Sequence, residues 1–155
     1  MPQTPVFDLQ QFLPYLLNLA AEDSSLSFQR LYKNRYGMLR TEWRVLFHLG
    51  IYGRMTARDI GQKARIHKTK ISRAVGALEK RRFLQRTRSQ TDRRQEDLSL
   101  TKAGIAAYLD LMNVAETYQA ELLKGFTPDE VSALKQMLQR LSARADWCRQ
   151  EGFRI

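Results

Sequence analysis

Basic and hydroxyl side chains crowd one short stretch of the chain and could bind phosphates or base edges. The segment Lys68-Thr-Lys-Ile-Ser-Arg73 supplies three cations and two hydroxyls, and no acidic residue follows before Glu79. Such groups bind phosphates and base edges in protein–DNA complexes. A second basic group, with Arg88, Arg93 and Arg94, follows further along the chain. The residue types therefore point to a polyanion as partner.

The distribution of charge supports the same reading. The chain carries a net charge of +10, and its segment from Arg54 to Lys102 contains 15 Lys or Arg against 5 Asp or Glu. The rest of the chain carries equal numbers of basic and acidic residues. Release of counterions from phosphates favours binding by such a cluster. The alternative to a polyanion partner is that the cluster is only a charged surface in contact with solvent. A membrane partner is disfavoured because no basic helix here has a large apolar face.

Hydrophobic spacing indicates the elements that hold these side chains. Ile71, Val75 and Leu78 recur at i, i+4 and i+7, which predicts a helix from about Lys68 to Lys80. A shorter helix capped by Thr56 precedes it, and a tight turn separates the two helices. Residues 84–88 and 96–100 alternate as strands do, and the polar residues between them predict a hairpin loop. Two helices, a turn and a hairpin make a winged helix-turn-helix, whose second helix enters the major groove.

Four further helices are predicted around this lobe. One begins at Pro14 and ends before Gly37, and the next is capped by Thr41 and ends by Gly53. Thr101 caps a long helix, and Thr127-Pro-Asp-Glu130 begins the last. The predicted fold is mainly α with a small β-hairpin wing, organised as an N-terminal dimerisation segment (1–40), a DNA-binding lobe (41–100) and C-terminal dimerisation helices (101–155) in one interwoven domain.

The hairpin carries a family resemblance. Thr91-Asp-Arg-Arg94, then six residues, then Thr101-Lys-Ala-Gly104 resembles the wing signature of the MarR family (multiple-antibiotic-resistance regulators), D-x-R followed by L-T-x-x-G. Lys68 to Arg73 resembles its recognition helix. The resemblance implies a homodimer paired through its terminal helices, a ligand cleft between these helices and the DNA lobe, and repression as the usual action. Three departures are Arg82, where the family usually has Gly, His67 at the recognition-helix cap, and Asp97 on the second wing strand, where an apolar residue is common.

The DNA-binding prediction covers the two helices of the motif and the wing. Asp92 is expected to support the wing rather than to contact DNA, because its carboxylate can steady an arginine or the loop backbone. The predicted DNA contacts are Thr56, Arg58, His67, Lys68, Thr69, Lys70, Ser72, Arg73, Arg88, Arg93 and Arg94.

Aromatic residues cluster on the first two helices beside two arginines that could pair with a carboxylate. Core packing is the favoured explanation of the aromatic residues, while the resemblance implies that this region borders the ligand cleft. A small aromatic or acidic effector is therefore a hypothesis. Its candidate residues are Phe28, Tyr32, Tyr36, Arg40, Trp43, Arg44 and Phe47.

Other classes of function are disfavoured. His48, His67 and Cys148 lack metal-site spacing, so no metal or other cofactor is expected. The basic segment lacks the paired carboxylates of a metal-dependent nuclease, and no Gly-rich phosphate loop exists, so the protein is not expected to be an enzyme. A lone cysteine, no long apolar run and no signal-peptide pattern favour the cytoplasm.

The sequence thus predicts a homodimeric bacterial regulator that binds a palindromic operator in double-stranded DNA, with repression and ligand release as its finer features. The apolar residues of the first and last helices exceed what a small lobe can bury, which favours dimerisation. The alternative is an architectural DNA- or RNA-binding winged-helix module without ligand control.

Overall fold

The computed structural model of the protein describes residues 7–90, 92 and 94–151. Its helices are α1 (Leu13–Tyr36), α2 (Arg40–Tyr52), α3 (Ala57–Ala64), α4 (Lys68–Lys80), α5 (Lys102–Leu122) and α6 (Pro128–Glu151), and its strands are β1 (Met55–Thr56), β2 (Leu84–Arg88) and β3 (Glu96–Leu100). The predicted fold class is confirmed: the described chain has six α-helices and a small antiparallel sheet.

The sheet has one strand more than the sequence predicts. Strands β2 and β3 form the expected hairpin, with Leu84 opposite Leu100 and Arg88 opposite Glu96. Strand β1 pairs with the other edge of β3, where Met55 lies opposite Leu98. The sequence does not predict the third strand, because two residues are too few to show the alternation of apolar and polar side chains that marks a strand. It fixes the start of α3 to the base of the wing.

The chain divides into two compact units, residues 1–117 and 118–155, and the boundary falls within α5. All the buried apolar residues of the described chain belong to the first unit. The largest fully buried side chains are those of Tyr32, Met38, Leu46, Ile60, Ile71, Leu78, Leu98 and Leu111. Met38 lies between α1 and α2, and the others come from α1, α2, α3, α4, β3 and α5, so a single core supports both helices of the helix-turn-helix and its wing.

Helix α4 ends in a left-handed residue that is not glycine. Arg82 has a φ of 61°, its N–H donates to the Glu79 carbonyl at 2.9 Å, and the N–H of Phe83 donates to the Leu78 carbonyl at 3.0 Å. These two bonds define a Schellman motif, in which glycine is the favoured left-handed residue. The departure noted at this position is therefore accommodated by left-handed geometry and not by a different helix end.

Helix α2 begins earlier than predicted, and the expectation that Thr41 caps it is wrong. Leu39 is the N-cap residue, and its N–H donates to the Glu42 carboxylate at 3.0 Å. Glu42 is buried and also accepts from Arg81, whose guanidinium donates to the Gly37 carbonyl at 2.7 Å. The Glu42 carboxylate thus binds the N–H of the N-cap residue, as the glutamate of a capping box does, while Leu39 has no side-chain acceptor for the first turn. Through Arg81, the same carboxylate ties the start of α2 to the end of α4.

Thr101 and Gly104 close the base of the wing. The Thr101 hydroxyl accepts from the Gly104 N–H at 3.1 Å and donates to the Arg82 carbonyl at 2.6 Å, while the Thr101 N–H donates to the Phe83 carbonyl at 3.0 Å. A Cβ on Gly104 would lie 1.9 Å from the Phe83 carbonyl oxygen. The predicted cap at Thr101 is confirmed, and glycine is required three residues later because the backbones are in contact.

The second unit contains the end of α5 and all of α6. The predicted capping box is confirmed: the Glu130 N–H donates to the Thr127 hydroxyl at 3.2 Å, and the Thr127 N–H donates to the Glu130 carboxylate at 2.8 Å. No residue of α6 with a described side chain is buried. Its exposed apolar residues include Leu134, Met137, Leu138 and Trp147.

Among the helices within residues 7–90 and 94–151, none combines the length and the apolar character that crossing a membrane requires.

Candidate nucleic-acid interface

Helix α4 presents the predicted DNA-binding side chains to solvent. Ile71, Ala74, Val75 and Leu78 hold it against the core. The exposed residues include Lys68, Thr69, Lys70, Ser72 and Arg73. His67 is the N-cap residue, and its Nδ1 accepts from the Thr69 N–H at 3.3 Å. This long hydrogen bond makes His67 a weak cap compared with a short serine or aspartate bond.

A groove of about 630 Å³ flanks α4 on the side of α3 and β2, and is here called the helix groove. Its lining includes the apolar side chains of Ile66, Ile71 and Val75. Its exposed polar lining comes from Arg58, Gln62, Lys68, Ser72 and Arg86. Three predicted DNA contacts, Arg58, Lys68 and Ser72, therefore meet in one concave surface.

A second groove, the wing groove, continues this surface toward the hairpin. Its lining includes Thr56, Arg58, Arg86, Arg88 and Arg94. Arg58 and Arg86 line both grooves, so the two grooves adjoin, and exposed cations of α3, α4 and the wing line them. Glu96 also lines the wing groove, where it pairs with Arg86. The hydroxyl of Thr56 is already engaged with Asp59, whose N–H donates to it at 3.1 Å, in the predicted capping box.

The wing loop is organised by Asp92. Its carboxylate accepts from the Arg94 N–H at 2.9 Å, and its carbonyl accepts from the Gln95 N–H at 2.9 Å. The Ser89 N–H donates to the Gln95 carbonyl at 3.0 Å, which closes the loop. Asp92 therefore holds the backbone at Arg94. Arg93, also a predicted DNA contact, and Thr91 of the wing signature lie outside the described residues.

Arg86 joins α4 to both strands of the wing and was not singled out from the sequence. Its guanidinium donates to Glu79 at 3.1 Å and to Glu96 at 2.9 Å. The hydrogen bond to Glu96 is the largest cause that raises the pKa of Arg86, against a smaller opposing effect of burial. Exposed ion pairs contribute little stability, so this link adds contacts between α4 and the wing without adding much to the free energy of unfolding.

On its other side, α4 borders a third and more polar groove of about 620 Å³, the turn groove. Its lining includes Arg40 and Arg44 from α2, Arg65 and His67 from the turn, and Lys70 from α4. Trp43 also lines it. Arg40 forms an ion pair with Glu22 at 3.5 Å. The turn groove thus gathers five basic side chains, including one histidine, beside the start of α4.

Arg44 belongs to this groove and also holds the helix-turn-helix together. Its guanidinium donates to the Ala64 carbonyl at the end of α3. Burial, followed by the neighbouring positive charge of Arg40, lowers the pKa of Arg44. A negative charge in the groove would offset that repulsion. Arg65, the residue after Ala64, is left-handed with a φ of 52° and, like Arg82, occupies a position that favours glycine.

The aromatic residues predicted for a ligand site divide between core and surface. Phe28 and Tyr32 are buried, 8% and 1% exposed, and Trp43 packs against both rings. Phe47 continues the cluster toward Tyr108. Tyr36 lies apart from it, against Phe83. Of the seven candidate ligand residues, Arg40, Trp43 and Arg44 line the turn groove.

The Tyr36 hydroxyl belongs to a link between α1 and α5. It donates to the Asp110 carboxylate at 2.8 Å, and Arg35 donates to both oxygens of the same carboxylate at 2.6 and 2.8 Å. Burial, and then the Asp110 bond, raises the pKa of Tyr36, while the Tyr36 and Arg35 hydrogen bonds lower the pKa of Asp110. Tyr36 is thereby occupied by a structural contact.

The residues considered for metal or redox chemistry are dispersed. His48 Nδ1 lies 2.7 Å from the Arg44 carbonyl, and Cys148 is a partly exposed free thiol on α6. Within residues 7–90, 92 and 94–151, no group of three His, Cys, Asp or Glu side chains could hold a metal ion.

Similarity to known sequences is concentrated in the same region. A MarR family model matches residues 36–95, which run from the end of α1 to the wing loop. The HTH-type transcriptional regulator PapX of Escherichia coli is 31% identical over 110 residues, covering 70% of this chain and 67% of PapX. The HTH-type transcriptional regulator YwaE of Bacillus subtilis is 27% identical over 107 residues, or 69% of this chain, and the match spans only 63% of YwaE.

Solved structures share the fold over most of the chain. A MarR/EmrR family regulator from Acinetobacter sp. ADP1 has a TM-score of 0.83 at 23% identity, covering 91% of this chain and 99% of that one. Bordetella bronchiseptica BpsR, whose DNA binding is regulated by 6-hydroxynicotinic acid, has a TM-score of 0.81 at 21% identity, covering 88% of this chain and 97% of that one. A mutant of Escherichia coli MarR complexed with operator DNA has a TM-score of 0.79 at 19% identity, covering 89% of this chain and 99% of that one. With its wing, its recognition helix and its similarity to PapX, the chain belongs to the MarR family of winged-helix transcription regulators.

Proposed function

We propose that the protein is a homodimeric repressor that binds an inverted-repeat operator and is released by a small aromatic or anionic ligand. The exposed cations of α3, α4 and the wing that line the helix groove and the wing groove carry this proposal. Arg58 and Arg86 join the helix groove to the wing groove, so one rigid surface can span a major groove and the adjacent minor groove. A mutant of Escherichia coli MarR, which shares this fold, was crystallised with operator DNA.

In this arrangement, the predicted DNA contacts of α4 and the wing divide into three roles. Lys68 and Lys70 are suited to phosphates, because each is an exposed cation near the start of α4. Thr69, Ser72 and Arg73 lie on the outer face of the helix and are suited to base edges. Arg88 and Arg94 extend from the wing toward the minor groove, where negative potential is focused.

The exposed apolar residues of α1 and α6 support dimerisation. Leu16, Leu19, Leu134 and Leu138 are between 39% and 43% exposed, and Trp147 is 49% exposed. Apolar surface on two helices at the ends of the chain is typical of an interface between subunits. A two-fold dimer presents two copies of α4, which favours half-sites about one helical turn, or roughly 10 base pairs, apart.

The turn groove is the proposed effector site. Arg40 and Arg44 can pair with a carboxylate, and Trp43 lines the groove beside them, which suits an aromatic acid. Because His67 and Lys70 line the same groove, an anion there would be coupled to the start of α4. Regulation of BpsR by 6-hydroxynicotinic acid gives a precedent for an aromatic acid within this fold.

The test of operator binding is selection of bound sequences from random duplex DNA, combined with sedimentation of the free protein. We expect a palindromic consensus and a dimer at micromolar concentration. Equal affinity for selected and scrambled duplexes at matched salt contradicts the proposal and favours the architectural module. Tighter binding of RNA than of DNA favours the RNA-binding module.

Effector control is tested by titrating benzoate and 6-hydroxynicotinate against the protein–operator complex. A ligand that raises the melting temperature of the free protein should lower operator affinity by roughly 5- to 150-fold. Arg40→Gln should abolish this response. Arg30→Gln, which removes the same charge from α1 outside the turn groove, should preserve it. A ligand that stabilises the protein without changing operator affinity contradicts this mechanism.

A further inference from the structure

The recognition helix α4 has two faces with the same residue spacing. One face is buried and consists of Ile71, Ala74, Val75 and Leu78. The face displaced from it by two positions consists of Thr69, Ser72, Arg73 and Gly76. Two positions correspond to about 200° around a helix, so the second set lies opposite the core. Gly76 therefore occupies the outer face, beside the residues proposed to read bases.

The backbone at Gly76 does not require glycine. Its φ lies outside the left-handed region, unlike those of Gly37, Gly53 and Gly125. Glycine inside a helix is less favourable than any residue except proline, because it loses the most backbone freedom on folding. Stability of α4 would therefore favour almost any other residue at this position.

Internal packing accounts for the other described helical glycines but not for Gly76. An added Cβ would lie 1.9 Å from the Phe83 carbonyl at Gly104, 2.5 Å from the Tyr108 ring at Gly50, and 3.2 Å from the Ile66 carbonyl at Gly61. At Gly76, it would meet no atom of the described chain within 4 Å. The space beside Gly76 is open within one protomer.

We propose that Gly76 is required by DNA, whose major groove receives the backbone of α4 at this point. This inference rests on the proposed function, in which the outer face of α4 reads the operator. Thr69 and Ser72 have short side chains, so their hydroxyls reach base edges only if the helix backbone lies deep in the groove. A side chain at position 76 would hold the helix outward and lengthen those hydrogen bonds.

The experiment compares Gly76→Ala and Gly76→Leu with the unchanged protein, using a selected operator and a scrambled duplex. Both substitutions should raise the melting temperature, by about 2–4 °C for Ala. Operator affinity should fall about five- to twentyfold for Ala and further for Leu. Affinity for the scrambled duplex should stay within about twofold, because nonspecific binding depends on phosphates.

The size series separates contact with DNA from helix stiffening. Ala favours the helix at least as strongly as Leu, so stiffening predicts an equal or larger loss of affinity for Ala, whereas contact predicts the larger loss for Leu. Gly50→Ala is the matched control: its methyl meets the Tyr108 ring, so the melting temperature should fall.

Operator affinities of both Gly76 variants within about twofold of the unchanged protein overturn the inference. So does a larger loss for Ala than for Leu, or a Gly50→Ala variant that is as stable as the parent. If the unchanged protein does not distinguish operator from scrambled DNA, the proposed function fails first, and that result is separate from any effect at Gly76.

Discussion

Helices α4 and α6 are both amphipathic, but most apolar residues of α4 are buried and those of α6 with described side chains are not. Helix α4 has 13 residues and buries four of them in the core. Helix α6 has 24 residues, and none with a described side chain is buried. A helix with an apolar stripe is stable mainly when that stripe is covered. The difference indicates that α4 is held by its own chain, whereas the apolar face of α6 is available to another subunit.

The same Leu→Ala change in the two helices gives the strongest test of that comparison. Leu78 is 0% exposed and Leu138 is 43% exposed. Leu78→Ala should lower the free energy of unfolding by about 2–5 kcal/mol at every protein concentration. Leu138→Ala should weaken dimerisation, so its loss of stability should be small at low concentration, where subunits are free, and should grow as concentration rises. Denaturant unfolding at two protein concentrations measures both, and equal, concentration-independent losses contradict the comparison.

The anchor between α2 and α4 gives the next effect. Arg81→Met should lower the free energy of unfolding by about 2 kcal/mol, because it leaves the Glu42 carboxylate buried without its cation. The estimate is below that for a fully buried pair, since the Arg81 side chain is 33% exposed. The double variant Arg81→Met with Glu42→Gln should recover part of the loss. Denaturant unfolding of the three variants checks this, and full additivity excludes the pair as the cause.

Two substitutions on the outer surface of the DNA lobe, both of which leave the core intact, distinguish a sequence-specific contact from a phosphate contact. Arg94→Ala should weaken operator binding by about 1–3 kcal/mol if the wing makes a specific contact. Lys68→Ala should weaken binding to all sequences and lower the salt slope by about one, as loss of a phosphate contact does. Fluorescence anisotropy at several salt concentrations measures both. Unchanged operator affinity of a folded Arg94→Ala dimer removes the wing from the interface.

The left-handed end of α4 offers a gain of stability. Arg82→Gly should raise the free energy of unfolding by about 1 kcal/mol, because glycine adopts a φ of 61° without the clash of a Cβ. Higher entropy of the unfolded glycine chain reduces the gain. Arg65→Gly at the end of α3 provides a second case with a φ of 52°. A lower melting temperature for Arg82→Gly would mean that the arginine side chain contributes more than the strain removes.

The weakest effect expected is the pH dependence of the link between α1 and α5. Hydrogen bonds from Tyr36 and Arg35 lower the pKa of Asp110 in the folded protein. Its contribution to stability is therefore present above its unfolded pKa of about 3.9 and is lost as pH falls through the folded value. Asp110→Asn should lower the melting temperature slightly near pH 7, and the difference from the parent should vanish at the acid end. A constant difference contradicts this linkage.

Local patterns predicted local structure well. The bounds of α4, β2 and β3 match the predicted ranges, because periodicity, capping residues and turn composition act within a few residues. Strand β1 and the start of α2 were missed for the opposite reason. Strand β1 exists through pairing with β3, more than 40 residues away, and the first turn of α2 depends on Glu42, which is held by Arg81.

The candidate site shows the same division. The exposed residues of α4 follow from the helical period, so Lys68, Thr69 and Arg73 could be named from the sequence. Arg86 and Arg65 could not, since one is defined by carboxylates on two other elements and the other by a helix end. Nor could the sequence separate Trp43, which lines the turn groove, from Phe28, which is buried.

The contact between Gly104 and Phe83 closes the base of the wing. Residues 84–100 leave and return at one point, where Thr101 binds the carbonyls of both Arg82 and Phe83. Length added at the tip need not disturb that point, so insertions near Ser89 should be tolerated, whereas position 104 should accept no side chain at all. The reach of the wing can therefore diverge among related proteins while its root stays the same, which separates the part that adapts to a new operator from the part that preserves the fold.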